Sequence, residues 1–259
     1  MTKFRNSIRI WLLGMATTFF ASLCYAVEQP VVIELFTSEG CSSCPPADAL
    51  LGQLGQQRTG YGVDLILLGE HVEYWNGPGW KDRFSAPTFT ERQYEYARRL
   101  HLATPYTPQV VVDGRLQTTG GNGTEIKRFI AEASQKPKPA TVILKTAGSE
   151  KLQVSVSAPS DRKLQVLLAV TEDNLTTAVR GGENQGRTLK HAAVVRELRP
   201  IGKTADGRLE KTVSVPLGHD WKKTDLRAIV LVQDTNSGVI EGAASMGLSG
   251  SGEIAAIQP

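Results

Sequence analysis

The sequence predicts an α/β domain followed by a small all-β sandwich domain. Up to residue 134, short β-branched runs alternate with segments whose apolar residues recur at helical spacing. After residue 140, about seven short strands follow one another with turns between them, as in a sandwich. The stiff, polar stretch Lys136-Pro-Lys-Pro139 separates the two patterns. We therefore expect domains over residues 27–136 and 140–246, and a flexible tail over 247–259.

The individual elements follow from the same patterns. In the first half, the expected strands are 31–36, 63–68 and a hairpin over 109–119, and the expected helices follow Asp48, cover 88–100 and cover 124–134 with Thr124 as the cap. In the second half, the expected strands are 141–145, 152–156, 164–170, 192–198, 213–217, 226–233 and 239–244.

The amino terminus is typical of a secretory signal peptide. Three cations precede an apolar stretch from Ile10 to Leu23, which ends in Cys24-Tyr-Ala26. The stretch is 14 residues long, whereas a membrane span needs about 20. We expect cleavage after Ala26 and a periplasmic or secreted protein; acylation of Cys24 is a minor alternative, because Leu23 replaces the small residue expected before a lipid-modified cysteine.

The charge balance of the remaining chain is neutral. Residues 1–26 hold three of the 29 Lys and Arg and none of the 26 Asp and Glu, so the other 233 residues carry 26 of each. This balance gives no reason to expect nucleic acid or an acidic membrane surface as a partner, and no membrane span is expected after signal cleavage.

Two cysteines remain after cleavage, and they are three residues apart in Cys41-Ser-Ser-Cys44. They stand between a predicted buried strand and a predicted helix, the context in which a C-x-x-C motif indicates redox chemistry. The helix start favours a thiolate, and Pro45 and Pro46 delay the regular helical hydrogen bonds. We therefore expect Cys41 to be the exposed nucleophile and Cys44 the more buried resolving thiol.

Three other interpretations of the pair stay open. A structural clip is one, although so small a loop constrains little chain entropy. A closed zinc site would need two further ligands, and the four histidines, His71, His101, His191 and His219, show no ligand spacing. A copper(I) thiolate site needs less, and His71 is the nearby candidate for it.

The sequence Tyr106-Thr-Pro-Gln109 immediately precedes a predicted strand, where an X–Pro bond is tolerated in either isomer. Together with the cysteine motif, it resembles the thioredoxin superfamily. The resemblance implies that Pro108 is a cis-proline beside the cysteine pair, with Pro105 as the rival position. It also implies that Thr107 faces the disulfide and presents backbone to a substrate, within a thioredoxin-like first domain.

A closer resemblance is to the secreted bacterial family known as domain of unknown function 1223 (DUF1223). It extends into the β-rich half and implies a redox-capable site without a substrate. The matching segments are ELFTSEGCSSCPPAD (34–48), HVEYW (71–75), GWKD (79–82), RQ (92–93), YTPQVVVDG (106–114), ENQGRTLKH (183–191) and VVREL (194–198).

The insertion at about 70–99 carries seven aromatic residues. Trp75 and Trp80 are candidates for a substrate groove beside the cysteines, and the alternative is that they pack an extra helix on the sheet. Glu39 and Asp48 flank the cysteine pair and are able to move protons, although acids in a first helical turn also stabilise helices.

The polar, Gly-rich stretch 181–187 lacks the strand-then-helix placement of a phosphate-binding loop, so nucleotide binding is not expected. Arg187, His191 and Arg196 are expected to form inter-strand pairs or a docking surface rather than a second active site.

Two functions remain from the sequence. The first is an exported thiol–disulfide oxidoreductase that needs no organic cofactor and acts on a protein or small-molecule thiol or disulfide. The second is a non-catalytic module that carries a metal on its thiolates or docks another protein. Fold alone does not choose between them.

Overall fold

The structure, a computed structural model, describes residues 30–57, 62–215, 217–249 and 255–256. The expected signal peptide, with Cys24, lies outside these residues. The helices are α1 (Pro45–Gln56), α2 (Pro87–Arg99) and α3 (Gly123–Ser134), with a short 3-10 helix at Lys223–Asp225. The α/β class is confirmed as a mixed main sheet with three helices and smaller antiparallel sheets.

Fourteen strands are described. They are β1 (Val31–Thr37), β2 (Leu65–His71), β3 (Gln109–Val112), β4 (Leu116–Thr119), β5 (Thr141–Thr146), β6 (Lys151–Ser157), β7 (Leu164–Glu172), β8 (Leu175–Ala178), β9 (Thr188–His191), β10 (Val194–Lys203), β11 (Arg208–Ser214), β12 (Leu226–Asp234), β13 (Ile240–Gly247) and β14 (Ala255–Ala256).

The main sheet has eight strands in the order β13-β12-β7-β10-β2-β1-β3-β4, so it contains strands of both halves. β1 and β2 are parallel, which the crossover through α1 permits, and β3 runs antiparallel to β1. Helices α1 and α3 cover one face of this region through a core that includes Leu35, Leu51 and Ile130. The first half thus forms an α/β layer, in which α1 follows β1 in the chain and packs against the sheet.

The two halves meet where β10 joins β2. Val194 is paired with Gly69 in parallel register, and the Gly69 N–H donates to the Ala193 carbonyl at 2.7 Å. A Cβ at Gly69 would lie 3.1 Å from the Ala192 carbonyl oxygen. The absence of a side chain at Gly69 therefore permits the close approach of the second half.

The strands after residue 140 form a second core. β11, β6, β5 and β14 make a four-stranded sheet, and its buried residues pack against β7, β10, β12 and β13. The alternating burial of β6, with Leu152, Val154 and Val156 inward, indicates one covered and one solvated face. Within the expected tail, Ala255 pairs with Leu144 of β5.

The start of α3 differs from the expectation. The cap is Asn122 and not Thr124, because the Asn122 Oδ1 accepts a hydrogen bond from the Glu125 N–H at 3.1 Å. Asn and Thr are both good caps, so the residue types alone did not show which of the two caps α3.

Among the described helices, none combines the length and apolar character needed to cross a membrane.

A buried ionic network holds α2 against the sheet. Arg92 of α2 is hydrogen-bonded to Glu34 of β1 and lies 3.6 Å from a carboxylate oxygen of Glu70 on β2. Burial and the neighbouring Glu34 raise the pKa of Glu70 well above its ordinary value. The Arg92 Nη1 also donates to Gln233 of β12 at 3.1 Å, so one side chain links both halves.

We expect Arg92→Met to lower the free energy of unfolding by about 3–5 kcal/mol, because it leaves the Glu34 carboxylate buried without its cation. Urea denaturation followed by circular dichroism measures this loss. The matched control is Arg128→Met, which removes an exposed guanidinium of α3. Equal stability of the Arg92 and Arg128 variants would contradict a stabilising role for the network.

Candidate functional site

The cysteine pair lies at the amino-terminal end of α1. Cys41 and Cys44 form a disulfide, and their Cα atoms are 5.4 Å apart. The Cys44 carbonyl accepts the first helical hydrogen bonds, from Ala47 N at 2.9 Å and Asp48 N at 3.1 Å. Pro45 occupies the first helical position, where a missing N–H costs nothing. The predicted placement of the pair between a strand and a helix is confirmed.

The prediction that Cys41 is exposed is wrong, since Cys41 and Cys44 both have 0 % exposure. Between β8 and β9, residues 181–187 form a segment that lies against the cysteine loop, and we call it the capping segment. A Cβ at Gly181 would lie 1.9 Å from the Gly79 carbonyl oxygen, so this segment also packs tightly on the aromatic insertion. A distant part of the chain therefore contributes to shielding that the helix start by itself does not provide.

Asn184 attaches the capping segment to the cysteine loop. Its Nδ2 donates to the carbonyl oxygens of Glu39 and Cys41, both at 2.9 Å, and the side chain is fully buried. The Asn184 Oδ1 in turn accepts a hydrogen bond from Arg187 Nη1 at 2.8 Å. Each side-chain polar atom of Asn184 thus has a partner, which fixes the orientation of the amide.

Glu183 adds a contact on the outer side of the loop. Its carboxylate accepts a hydrogen bond from the Ser42 N–H at 2.9 Å. Hydrogen bonds from the Ser42 hydroxyl and N–H lower the pKa of Glu183. The backbone between the two cysteines is therefore bonded to residues of the second half.

The Thr107–Pro108 peptide bond is cis, as the thioredoxin resemblance implies for Pro108 and not for Pro105. Trp75 Nε1 donates to Thr107 Oγ1 at 2.7 Å. The backbone of Trp75 is also close to Gly40, where an added Cβ would lie 3.1 Å from the Trp75 carbonyl oxygen. Trp75 therefore connects the residue before Cys41 with the residue before Pro108.

Trp80 also borders the cysteine loop. Its Nε1 donates to Glu39 Oε2 at 3.0 Å. Phe84 packs edge-on against His71 and His191, with ring centroids 5.3 and 5.5 Å away. The aromatic insertion thus borders the site, with both tryptophan N–H groups used in hydrogen bonds to polar groups near the cysteines.

Beneath the loop is a buried cluster of titratable groups. His71 Nδ1 lies 2.7 Å from Asp82 Oδ2, which also accepts the Glu39 N–H at 2.8 Å. Burial alone would lower the pKa of His71, but the neighbouring carboxylates, Asp82 first and then Asp48 and Glu39, together raise it. Burial alone would raise the pKa of Asp82, but His71 and two backbone N–H groups lower it. The pair is therefore most stable as imidazolium and carboxylate.

His191 and Asp48 complete the cluster. His191 Nε2 lies 3.3 Å from Glu39 Oε1, an ion-pair distance without the alignment of a hydrogen bond. Burial raises the pKa of Asp48, and the charges of His71 and His191 act in the opposite direction. His71, the sequence candidate for a copper ligand, has Nδ1 occupied by Asp82. Among the described residues, no group of three or more His, Cys, Asp and Glu forms a metal site.

The three polar residues of the second half that the sequence assigned to inter-strand pairs or a docking surface lie in different surroundings. Arg187 supports Asn184, and His191 lies in the buried cluster. Arg196 forms an ion pair with Glu172 of the neighbouring strand β7. Sequence reasoning missed the contacts of Asn184, Glu183 and Asp82. All three lie in segments that carry the family resemblance, which is the signal that marks them.

The sequence profile described as "Protein of unknown function (DUF1223)" matches residues 32–233, which include the cysteine loop and the capping segment. No curated protein matches the chain.

A solved structure also resembles the chain. The crystal structure of protein AGR_C_4864 from Agrobacterium tumefaciens is 31% identical, with a TM-score of 0.67, and the match covers 86% of this chain and 96% of that one. The crystal structure of wild-type OgpA from Akkermansia muciniphila is 13% identical, with a TM-score of 0.28, and the match covers 46% of this chain and 31% of that one.

We expect Asn184→Asp to make the disulfide react roughly tenfold faster with dithiothreitol. The aspartate keeps an acceptor for Arg187 but has no N–H for the two carbonyls, and an unmade buried hydrogen bond costs about 1–3 kcal/mol. The rate is followed by thiol trapping. The control is Asn236→Asp in an exposed turn, and reduction of both variants at the wild-type rate would contradict the shielding role.

We expect Asp82→Asn to cost about 3 kcal/mol of unfolding free energy at pH 6 and clearly less at pH 9. The raised pKa of His71 means that its stabilisation is complete below about pH 6.5 and is lost as the pH rises through the folded-state pKa. Asp82, with its lowered pKa, stays ionised across this window. Denaturation at both pH values, with exposed Asp161→Asn as the control, measures the difference; a loss independent of pH would contradict the charged pair.

Proposed function

The chain belongs to the family of proteins of unknown function DUF1223, and we propose that it acts as an exported thiol–disulfide oxidoreductase through the Cys41–Cys44 pair. One observation carries the proposal. The disulfide stands at the start of α1, and Trp75 ties the residue before it to Thr107 beside the cis-proline. A cysteine at a helix start is in an environment that favours a reactive thiolate.

The architecture of the first half supports a thioredoxin-like fold. The strands stand in the order β2-β1-β3-β4, with β1 and β2 joined by α1 and with α3 after the β3–β4 hairpin. In our proposal this unit spans residues 27–136. The facing sheets after residue 140 form a sandwich over 140–246, fused to the first unit through β2 and β10.

The reaction begins from the disulfide. A thiolate of a dithiol substrate attacks the Cys41 sulfur, the Cys41–Cys44 bond breaks, and the electron pair leaves on Cys44 as a thiolate. The second substrate thiolate then attacks its partner sulfur in the mixed disulfide and releases Cys41. The substrate gains one disulfide, and the pair of cysteines gains two electrons. In reverse, the same steps reduce a substrate disulfide.

Pro108 and Thr107 are the proposed substrate-positioning residues, and Trp75 and Trp80 the proposed walls of the binding region. Because Cys41 is buried, the attack requires the capping segment to move from the cysteine loop. The contacts of Asn184 and Glu183 with that loop are those that must open. A thiol partner that displaces the segment gains access that solvent lacks.

The expected compartment agrees with this chemistry. Disulfides persist in the periplasm and outside the cell, and the proposed signal peptide would deliver the chain there.

The buried position of the cysteine pair also fits a structural clip. A structural disulfide and a catalytic disulfide differ in their reduction potential.

We expect the pair to show a reversible two-electron transition between about −120 and −270 mV, the range of known oxidoreductases. Equilibration against glutathione buffers with thiol trapping measures it, and Cys41→Ser is the control that removes the transition. A pair that stays oxidised below about −300 mV would indicate a structural clip and end the oxidoreductase proposal. Stoichiometric copper(I) binding without turnover would favour a metal carrier instead.

A further inference from the structure

The capping segment is attached to the rest of the protein at few points. Of residues 181–187, only Gly181 and Asn184 are buried, and the others are exposed. Gly182 and Gly186 have φ angles of +73° and +81°, in the left-handed region that glycine adopts without strain. The two glycines bracket the part of the segment that contacts the cysteine loop. A segment with so few buried contacts opens at a low free-energy cost.

The base of the capping segment is held more firmly than its tip, which we define as residues 182–185. The Val179 N–H donates to the Arg187 carbonyl, and the Gly186 N–H donates to the Val179 carbonyl, both at 2.9 Å. Gly181 packs tightly on Gly79. The tip is therefore able to lift from the cysteines while the β8–β9 hairpin keeps its place.

The tip forms three hydrogen bonds with the backbone of the cysteine loop. Asn184 donates to the Glu39 and Cys41 carbonyls, and the Glu183 carboxylate accepts the Ser42 N–H. Two of these bonds end on the peptide unit that joins Cys41 to Ser42. The closed tip therefore holds the main chain beside the Cys41 sulfur in the conformation that belongs to the disulfide.

Reduction of the disulfide requires movement at this place. The two sulfurs, once they are no longer bonded, separate to van der Waals distance, and Cys41 and Cys44 both have 0 % exposure. Because protein interiors are close-packed, this separation displaces neighbouring groups. The main chain of Cys41 is one of them, and its bond to Asn184 opposes the displacement.

The charge that reduction produces also opposes the closed tip. The electron pair leaves on Cys44 as a thiolate, and a buried thiolate without partners is costly. Among the described residues, only Ser43 has a side chain hydrogen-bonded to a cysteine sulfur, at 3.3 Å from Cys41 Sγ. The Ser42 N–H, a further donor in the loop, is occupied by the Glu183 carboxylate. Lifting the tip frees this donor, removes a negative group and admits water to the sulfurs.

We propose that the tip is a redox-linked lid, which closes on the disulfide and opens when a dithiol reduces it. Two electrons and two protons pass from the dithiol, which becomes a disulfide, to Cys41 and Cys44, which become thiols. Because the closed lid prefers the oxidised pair, linkage requires that closure make the pair harder to reduce. A partner that lifts the lid therefore makes the pair a stronger oxidant. This role of a partner rests on the proposed function, whereas the response of the lid to reduction does not.

Hydrogen exchange followed by mass spectrometry tests the movement. In the closed tip, the Gln185 N–H donates to the Gly182 carbonyl at 3.2 Å, and the Arg187 N–H donates to the Asn184 carbonyl at 3.1 Å. We expect reduction by dithiothreitol to make exchange in residues 182–187 at least about tenfold faster, and exchange in β12 to stay unchanged as the control.

The double variant Cys41→Ser/Cys44→Ser has no disulfide and should show the same fast exchange of the tip, even where the natural pair resists reduction. Equal exchange of residues 182–187 in the oxidised protein and in this variant would overturn the proposal.

Equilibration with glutathione buffers tests the linkage. Asn184→Ala leaves two carbonyls without their donor in the closed state, so we expect it to shift the equilibrium towards the dithiol about tenfold, or about 30 mV. Glu183→Gln keeps the shape of an exposed side chain and removes its charge, and should shift the equilibrium in the same direction by at least about threefold. Glu210→Gln, which removes an exposed carboxylate of β11, is the matched control.

The outcomes separate the two proposals. Equilibria of the Glu183 and Asn184 variants equal to that of the wild type would overturn the lid. A wild-type potential in the range of structural disulfides, with both shifts present, would end the oxidoreductase proposal and support the lid.

Discussion

The ion pair of Arg92 with the buried Glu34, beside a second buried carboxyl group, that of Glu70, 3.6 Å away, is the constraint on which the junction of the halves depends. Glu34 and Glu70 lie on adjacent parallel strands at 0 % exposure, where ionised carboxylates are costly without a cation. Because Arg92 comes from α2 and also bonds Gln233, it fixes that helix to strands of both halves. The segment before α2 carries Trp75, Trp80 and Asp82, and its course is set at one end by β2 and at the other by α2.

The cysteine site is consequently built from both halves of the chain. The first half supplies the disulfide and the cis-proline, and the second supplies Asn184, Glu183 and His191. The disulfide lies at a helix start in the first half, whereas the loop that packs over it comes from the second half. The β-rich half therefore contributes directly to the surroundings of the cysteines.

Much of the fold and part of the site could be predicted from local patterns. β1, α1 and the cysteines between them are neighbours in sequence, so burial periodicity and helix-start chemistry were enough. The exposure of Cys41 was predicted incorrectly because a helix-start rule describes the turn itself and not what packs over it. His191 was treated as a residue of a β surface, since nothing in its spacing relates it to Glu39, more than 150 positions earlier.

The sequence by itself determined the α/β class, the strand–helix position of the Cys41–Cys44 pair and the family. These depend on local periodicity and on contiguous motifs. Only the tertiary structure decided that the two halves share one sheet, that Asn184 holds the cysteine loop, and that His71, Asp82, Glu39 and His191 form one buried cluster. The physical reason is that long-range contacts depend on strand order and loop packing. A polar loop such as 181–187 has the same composition whether it faces solvent or covers a disulfide.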